Sequence, residues 1–282
     1  MADSIWTAVS GAVAQARNVE VIANNLANAD TVAFKKDAPT FREYLAAAER
    51  EMGSIEVPRA PIKDKDFYPL DGKDKAMVIM ESTYTNFRQG NLRVTYSPLD
   101  IALDGPGFLE VNTPAGIRYT RLGSLKMAAD GRLVTGEGHA VLATELVRIA
   151  STSIDGRPPQ EKSPPPVASR FINWRDHGAM ISISESGEIF AGDTLVAKLS
   201  VIEFSNRNLL RKIGGSLFEN GDKNNILKQA TSTAVKHGVI ETSNVNPIEE
   251  MANLIKANRI FELNLKVLKT YGELKTSDLG KL

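Results

Sequence analysis

The chain has no cysteine among its 282 residues, so it can form no disulfide, no thiolate metal site and no cysteine nucleophile. It also has no excess of either charge, since 34 lysines and arginines balance 34 aspartates and glutamates. A nucleic-acid binder leaves a basic footprint and a polybasic membrane anchor needs clustered cations, so neither partner is expected. Long apolar runs are missing as well. No stretch approaches the roughly 18 consecutive apolar residues of a membrane-spanning helix, so direct membrane insertion is not expected. The first residues, "MADSIWTAVSGAVAQARNVE", lack a basic n-region followed by an apolar h-region, which argues against a cleaved secretory signal.

Catalytic signatures are equally scarce. His139, His177 and His237 are scattered, without carboxylate partners at metal-ligand spacing. "GPG" at 105–107 lacks the third glycine and following helix of a dinucleotide site, and no phosphate loop, nucleophile elbow or zinc-protease motif occurs. "DKD" and "DGKD" within 57–75 lack the ligand order of a calcium loop. The expectation is therefore no catalytic residue, no metal, no cofactor and no small-molecule substrate.

What the sequence has in abundance lies at its two ends. "ETSNVNPIEEMANLIKANRIFELNLKVLKTYGEL" (241–274) opens as a well-made helix, with Asn246 to cap, Pro247 at the first helical position and Glu249 three residues after the cap. Met251, Leu254, Ile255, Phe261, Leu265, Leu268 and Tyr271 follow mostly at steps of three and four. At the other end Ile5, Val9, Ala12, Ala16, Val19, Ala23 and Leu26 recur at alternating steps of four and three, a heptad seam over about three heptads. Its alanines and valines would admit a close neighbour. Two such helices, far apart in the chain, are expected to pair with each other and with copies from other chains.

Between them the period changes from that of a helix to that of a strand. Alternating apolar residues at 101–103, 108–111, 117–119 and 125–127 are punctuated by turn residues, and Asp130-Gly131 is a two-residue hairpin signal before Leu133-Val134. A second set runs through 180–184, 188–190 and 195–204, with turns at Ser186-Gly187 and Gly192-Asp193. The stretch 151–170 is proline-rich and polar and reads as an exposed insertion. Residues 41–51 could make a short helix, and 57–75 an extended surface segment. The predicted class is α+β: terminal helices paired as a coiled-coil-like layer, with a central antiparallel β-rich domain. The boundaries are 1–34, an N-terminal helix and exit turn; 35–90, extended with the short helix; 91–240, the β domain with an insertion near 151–178; and 241–282, the C-terminal helix.

Asparagines cluster at the inner ends of both helices, Asn24, Asn25 and Asn28 in "ANNLANADTVAF" and Asn244 and Asn246 in "SNVNP". With these blocks, "SGAVAQARNVEVIANNLANADTVAFKKD" resembles the N-terminal signature of the bacterial flagellar rod and hook family, and "ETSNVNPIEEMANLIKANRIFELNLKVLK" its C-terminal one. "SPLDIALDGPGFLEVNTPAGIRYTRLGSLKMAADGRLVTGEGHAVL" (97–142) is similar to the segment those proteins share. Asp30 and Ala33 depart from the family's usual Asn and Gly, and Ala33 argues against a left-handed turn there.

The resemblance implies a structural subunit of the flagellar rod within the periplasm. Such a subunit polymerises with copies of itself and other rod proteins, transmits torque, and is exported by the flagellar type III apparatus without signal cleavage. The chain length and "SGA" at 10–12 favour the proximal rod over the distal rod or hook. A different-class alternative is an enzyme or carbohydrate-binding module dimerised by its helices. The implied assembly residues comprise the N-terminal seam (Ile5, Val9, Ala12, Ala16, Val19, Ala23 and Leu26), Asn24, Asn25, Asn28 and Phe34. In the C-terminal helix they are Asn244, Asn246, Pro247, Glu250, Met251, Leu254, Ile255, Asn258, Phe261, Leu265 and Leu268.

Overall fold

A computed structural model describes residues 2–46, 75–146, 170–174, 181–227 and 232–279, which fall into two compact units. The first comprises residues 1–27, 37–84 and 246–282, and the second 28–36 and 85–245. Of the expected exposed insertion near 151–178, residues 151–169 and 175–178 lie outside the described residues, as does the segment 57–74. The described part of the insertion is largely enclosed rather than exposed, because Arg170 pairs with Glu110 and Ile172 and Trp174 are buried in the core.

The first unit is built on helix α1 (Ala2–Ala27) and helix α2 (Pro247–Leu279), which pack against each other. The start of α2 follows from its sequence. Asn246 Oδ1 accepts the Ile248 N–H at 3.2 Å, proline needs no donor partner at the first position, and Glu249 and Glu250 sit where the helix end is electropositive. The pairing is close where residues are small. A Cβ added at Gly11 of α1 would lie 3.5 Å from Asn264 Nδ2 of α2.

The buried face of α1 is offset from the predicted heptad seam. Ala12 is buried, but Val9, Ala16, Val19 and Leu26 are half-buried and Ala23 is exposed, whereas Ile22 and Asn25 are enclosed. At its inner end the packed line therefore runs one residue earlier than the apolar pattern indicates, a rotation of about 100° at 3.6 residues per turn. The cause is polar. Asn25 Nδ2 donates to the Asp37 carbonyl at 2.8 Å and Asn25 Oδ1 accepts the Asp37 N–H at 3.0 Å, which turns that side inward.

Asp37 begins a strand, Asp37–Ala46, that joins Lys75–Thr85 in a two-stranded sheet. The short helix expected from residue 41 is thus strand as far as 46, and 47–51 lie outside the described residues. Helical propensity there yields to the partner strand and to the Asn25 clasp.

The second unit is antiparallel throughout its described pairs. A nine-stranded sheet has the path Leu210–Gly214, Leu217–Asn220, Gly116–Thr120, Phe108–Thr113, Ala140–Val141, Leu133–Thr135, Leu125–Met127. Off that path, Val201–Phe204 pairs both with Phe108–Thr113 and with Ile226–Leu227. A four-stranded sheet is ordered Ala143–Leu146, Thr194–Leu199, Glu188–Ala191, Ile181–Ile183. Two short ladders complete the unit, Ala234–His237 on Ile101–Asp104 and Val239–Glu241 on Leu92–Val94.

A hairpin forms at Asp130-Gly131, with Gly131 at φ 85°, but its loop is not the expected two residues. The Ala128 N–H donates to the Arg132 carbonyl and the Gly131 N–H to the Ala128 carbonyl, so 129–131 make the connection. The strands between 210 and 241 escaped the period-2 reading because their apolar residues are few. An aromatic nucleus of Phe87, Phe108, Tyr119, Phe204 and Phe218 packs largely edge-to-face, with Tyr119 and Phe204 centroids 4.9 Å apart at 86°. An aliphatic cluster around Leu109, Val111, Val141, Ile189 and Leu199 fills the rest.

Candidate functional site

The surface of α2 carries more apolar area than its own unit covers. Of the stripe read from sequence, Leu254, Phe261, Leu268 and Tyr271 are half-buried and line up with buried Ala257 and half-buried Asn264 at alternating steps of three and four. That is the face whose Asn264 meets α1. Met251, Ile255 and Leu265 lie off that face and are exposed. Ile248, Met251 and Ile255 form one exposed row near the helix start; Ile260, Leu263, Val267 and Leu274 form another further along, at spacings that return to the same side of a helix. Ile248 is 75% exposed and Leu263 62%. On α1, Trp6 and Val13 are exposed too.

The asparagines serve a different purpose from the apolar rows. Asn28 and Thr31 tie the turn after α1, the Thr31 hydroxyl donating to Asn28 Oδ1 at 3.1 Å. Ala33 in that turn adopts φ 58° despite its Cβ, correcting the expectation that alanine would forbid a left-handed residue here. Its N–H is held by the Glu241 carbonyl at 2.8 Å and its side chain is fully buried, so the surroundings impose the conformation. Asn244 accepts the Lys36 N–H at 2.7 Å and donates to the carbonyls of Asn86 and Arg88 at 2.8 and 3.0 Å. Asn244 and Asn25 thus act as backbone mimics that clasp passing chain. Asn24, Asn258 and Pro247 are exposed, Glu250 is buried, and of Ile5 only the helical backbone is described.

The second unit also contains a junction that the sequence pattern did not reveal. Lys35, Arg121 and Glu241 come together with side chains at most 1% exposed. Glu241 Oε1 accepts from Lys35 Nζ at 2.5 Å and from the Gly90 N–H at 2.8 Å, while Oε2 accepts from Arg121 Nε at 2.8 Å. Lys35 also donates to the Arg88 carbonyl, and Arg121 Nη2 to the carbonyls of Leu103 and Gly105. Gly90 is required at this spot, because a Cβ there would sit 2.0 Å from the Thr242 carbonyl oxygen. Phe34, buried beside Lys35, lies under Lys212 Nζ at 3.7 Å from its ring centre.

Burial lowers the Lys35 pKa from 10.5 to about 8; Glu241 opposes the shift and Arg121 adds to it. A depressed lysine can mark a nucleophile. This one is sealed from solvent and donates to two fixed acceptors, so its role is to hold chain together.

Elsewhere Glu110 binds Arg170 and Ser200, and Glu203 accepts from Ser232 and Thr233; both are buried carboxylates engaged by their own unit. His139 approaches Glu137 at 3.7 Å. Among the described residues no cluster of three His, Asp or Glu is placed to hold a metal ion, and no helix is long and apolar enough to cross a membrane.

Three sequence profiles match in chain order. They are flagella basal body rod protein over residues 5–35, flagellar hook protein FlgE/F/G D1 domain over 102–191, and flagellar basal body rod FlgEFG protein C-terminal over 236–277. The chain is 30% identical to the flagellar basal-body rod protein FlgG of Buchnera aphidicola subsp. Schizaphis graminum, over 97% of both chains. It is also 30% identical to the FlgG of Borreliella burgdorferi, over 96% of this chain and 95% of that one. With the flagellar basal-body rod protein FlgF of Caulobacter vibrioides it shares 25% identity, over 100% of this chain and 98% of the relative.

Proposed function

The chain belongs to the flagellar basal-body rod FlgE/F/G family, and from that premise we propose that it is a rod subunit which polymerises through its terminal helices. The family is one of structural flagellar proteins rather than enzymes, and its members assemble with other rod components in the basal body. The observation that carries the assembly reading is the pair of exposed apolar rows on α2, left over after α1 has taken one face. A helix with apolar residues on three sides needs more partners than one neighbouring helix. Heterologous contacts between identical subunits supply them, and where the rotation does not close they build a helical tube. The β-rich unit packs two apolar clusters within itself, with Val94, Tyr96 and Leu209 left exposed.

The position along the rod is a finer matter. The length and "SGA" at 10–12 favoured the proximal rod, but the relatives at 30% identity are named FlgG and the FlgF relative stands at 25%. The distal rod is therefore the better supported position. The chain would reach it through the flagellar type III apparatus, crossing unfolded and keeping its first helix.

Reconstruction of isolated basal bodies at side-chain detail tests these points together. Density for this chain in the axial tube, with α2 rows between subunits, is the expected result. A basal body lacking the chain, or one in which α2 faces solvent, would overturn the proposal.

A further inference from the structure

The Lys35–Glu241–Arg121 junction joins parts of the chain that are distant in sequence: Glu241 is 206 residues from Lys35 and 120 from Arg121. Two cations meet one carboxylate in a space closed to water. Without that carboxylate, Lys35 and Arg121 would face each other dehydrated and unneutralised, which is strongly unfavourable. They cannot settle elsewhere in the native arrangement. Arg121 is also bound to the carbonyls of Leu103 and Gly105, beside the strand Ile101–Asp104, and Lys35 to the Arg88 carbonyl. Strand order adds to the dependence. Ala234–His237 completes the ladder on Ile101–Asp104, and Val239–Glu241 the ladder on Leu92–Val94.

We infer that Glu241 is a folding latch: the segments flanking Lys35 and Arg121, and the strand Ile101–Asp104 that Arg121 contacts, stay short of native packing until the final segment of the β-rich unit docks its carboxylate between them. A chain emerging N-terminus first, from a ribosome or from a narrow pore, then remains unfolded until some 240 residues are out. Among the described elements α2 is the one that follows the latch in sequence. The inference does not depend on where in a rod the subunit sits, or on whether it forms one.

The test is refolding of the full-length chain from denaturant with pulsed hydrogen exchange, comparing amides of 108–120, which pair with each other, with those of 234–241. Protection of both in a single phase is expected. Protection of 108–120 about tenfold earlier than 234–241 would overturn the latch. A triple variant, Lys35→Met with Arg121→Met and Glu241→Leu, removes the charges while leaving the strands. In it 108–120 should gain protection about tenfold ahead of 234–241. A single shared phase in the triple variant would show that strand pairing alone sets the order, and would also overturn the latch.

Discussion

In the β-rich unit Phe108, Phe218, Leu109 and Leu142 are wholly enclosed, whereas along α2 Ile248, Met251, Ile255, Leu263 and Val267 stand in water. Both regions are amphipathic by sequence, but one closes on itself and the other does not. A sheet that folds over a second sheet hides its apolar face using its own chain. A helix with apolar residues all around its girth cannot do so with one companion, and α1, rich in alanine, covers only a narrow strip. The difference separates a unit with two enclosed apolar clusters from a helix that leaves apolar rows exposed.

The largest effect should come from opening the closed region. Phe218→Ala removes a fully buried ring that packs on Phe87 and Phe108 at centroid distances of 5.3 and 5.6 Å, and should cost about 3–5 kcal/mol in denaturant unfolding of the β-rich unit. A loss below about 1 kcal/mol would mean that this unit is not the self-contained core described. The strands forming that core were legible where alternation was strong, at 101–134 and 181–204. The pairs at 210–220 and 234–241 were not, because a few apolar residues set between charges leave no clear period. The buried ion junction was invisible for a related reason. Lys35, Arg121 and Glu241 are ordinary surface residue types, and only the fold brings them together. At the inner end of α1 the apolar seam points about one residue away from the buried line, because Asn25 is polar and enclosed.

A second way to sharpen the contrast is pH, which acts on the closed unit through Lys35. Lys35 titrates at about 8 when folded and near 10.5 when unfolded, its burial being the main cause. Between those values the unfolded chain holds a proton that the folded chain lacks, so stability gains as pH rises through the window and the gain is lost as pH falls back through about 8. The contribution is on the order of 3 kcal/mol. Comparing the pH dependence of unfolding for the native chain and Lys35→Met isolates it from other lysines. The variant should lack the extra rise between about pH 8 and 10.5, and equal slopes would refute this.

Within the helical unit the strongest internal fixture is polar. Asn25→Ala removes both bonds from the half-buried Asp37 N–H and carbonyl. The cost should be about 1–3 kcal/mol. Amide exchange over 37–46 should quicken while that of 108–120 stays unchanged. Equal quickening in both segments would dissolve the distinction between the two units.

The smallest change in the free subunit should accompany the largest loss of assembly. Leu263 and Val267 are one turn apart on an exposed face of α2, 62% and 44% exposed. Replacing both with aspartate takes little buried contact from the folded chain, so its unfolding free energy should fall by no more than about 1 kcal/mol, largely through helix propensity. In a polymer the same two positions would sit against another subunit, where burying each aliphatic side chain contributes roughly 1.5–3 kcal/mol and an unpaired carboxylate is strongly penalised. The expected outcome is a stable monomer that fails to enter basal bodies and leaves cells non-motile, with the apolar swap Leu263→Met retaining both functions. If the double aspartate variant unfolds with a large loss of stability, α2 is covered within its own chain. If it assembles normally, this row of α2 faces no partner and the interface must be sought at Ile248, Met251 and Ile255 instead.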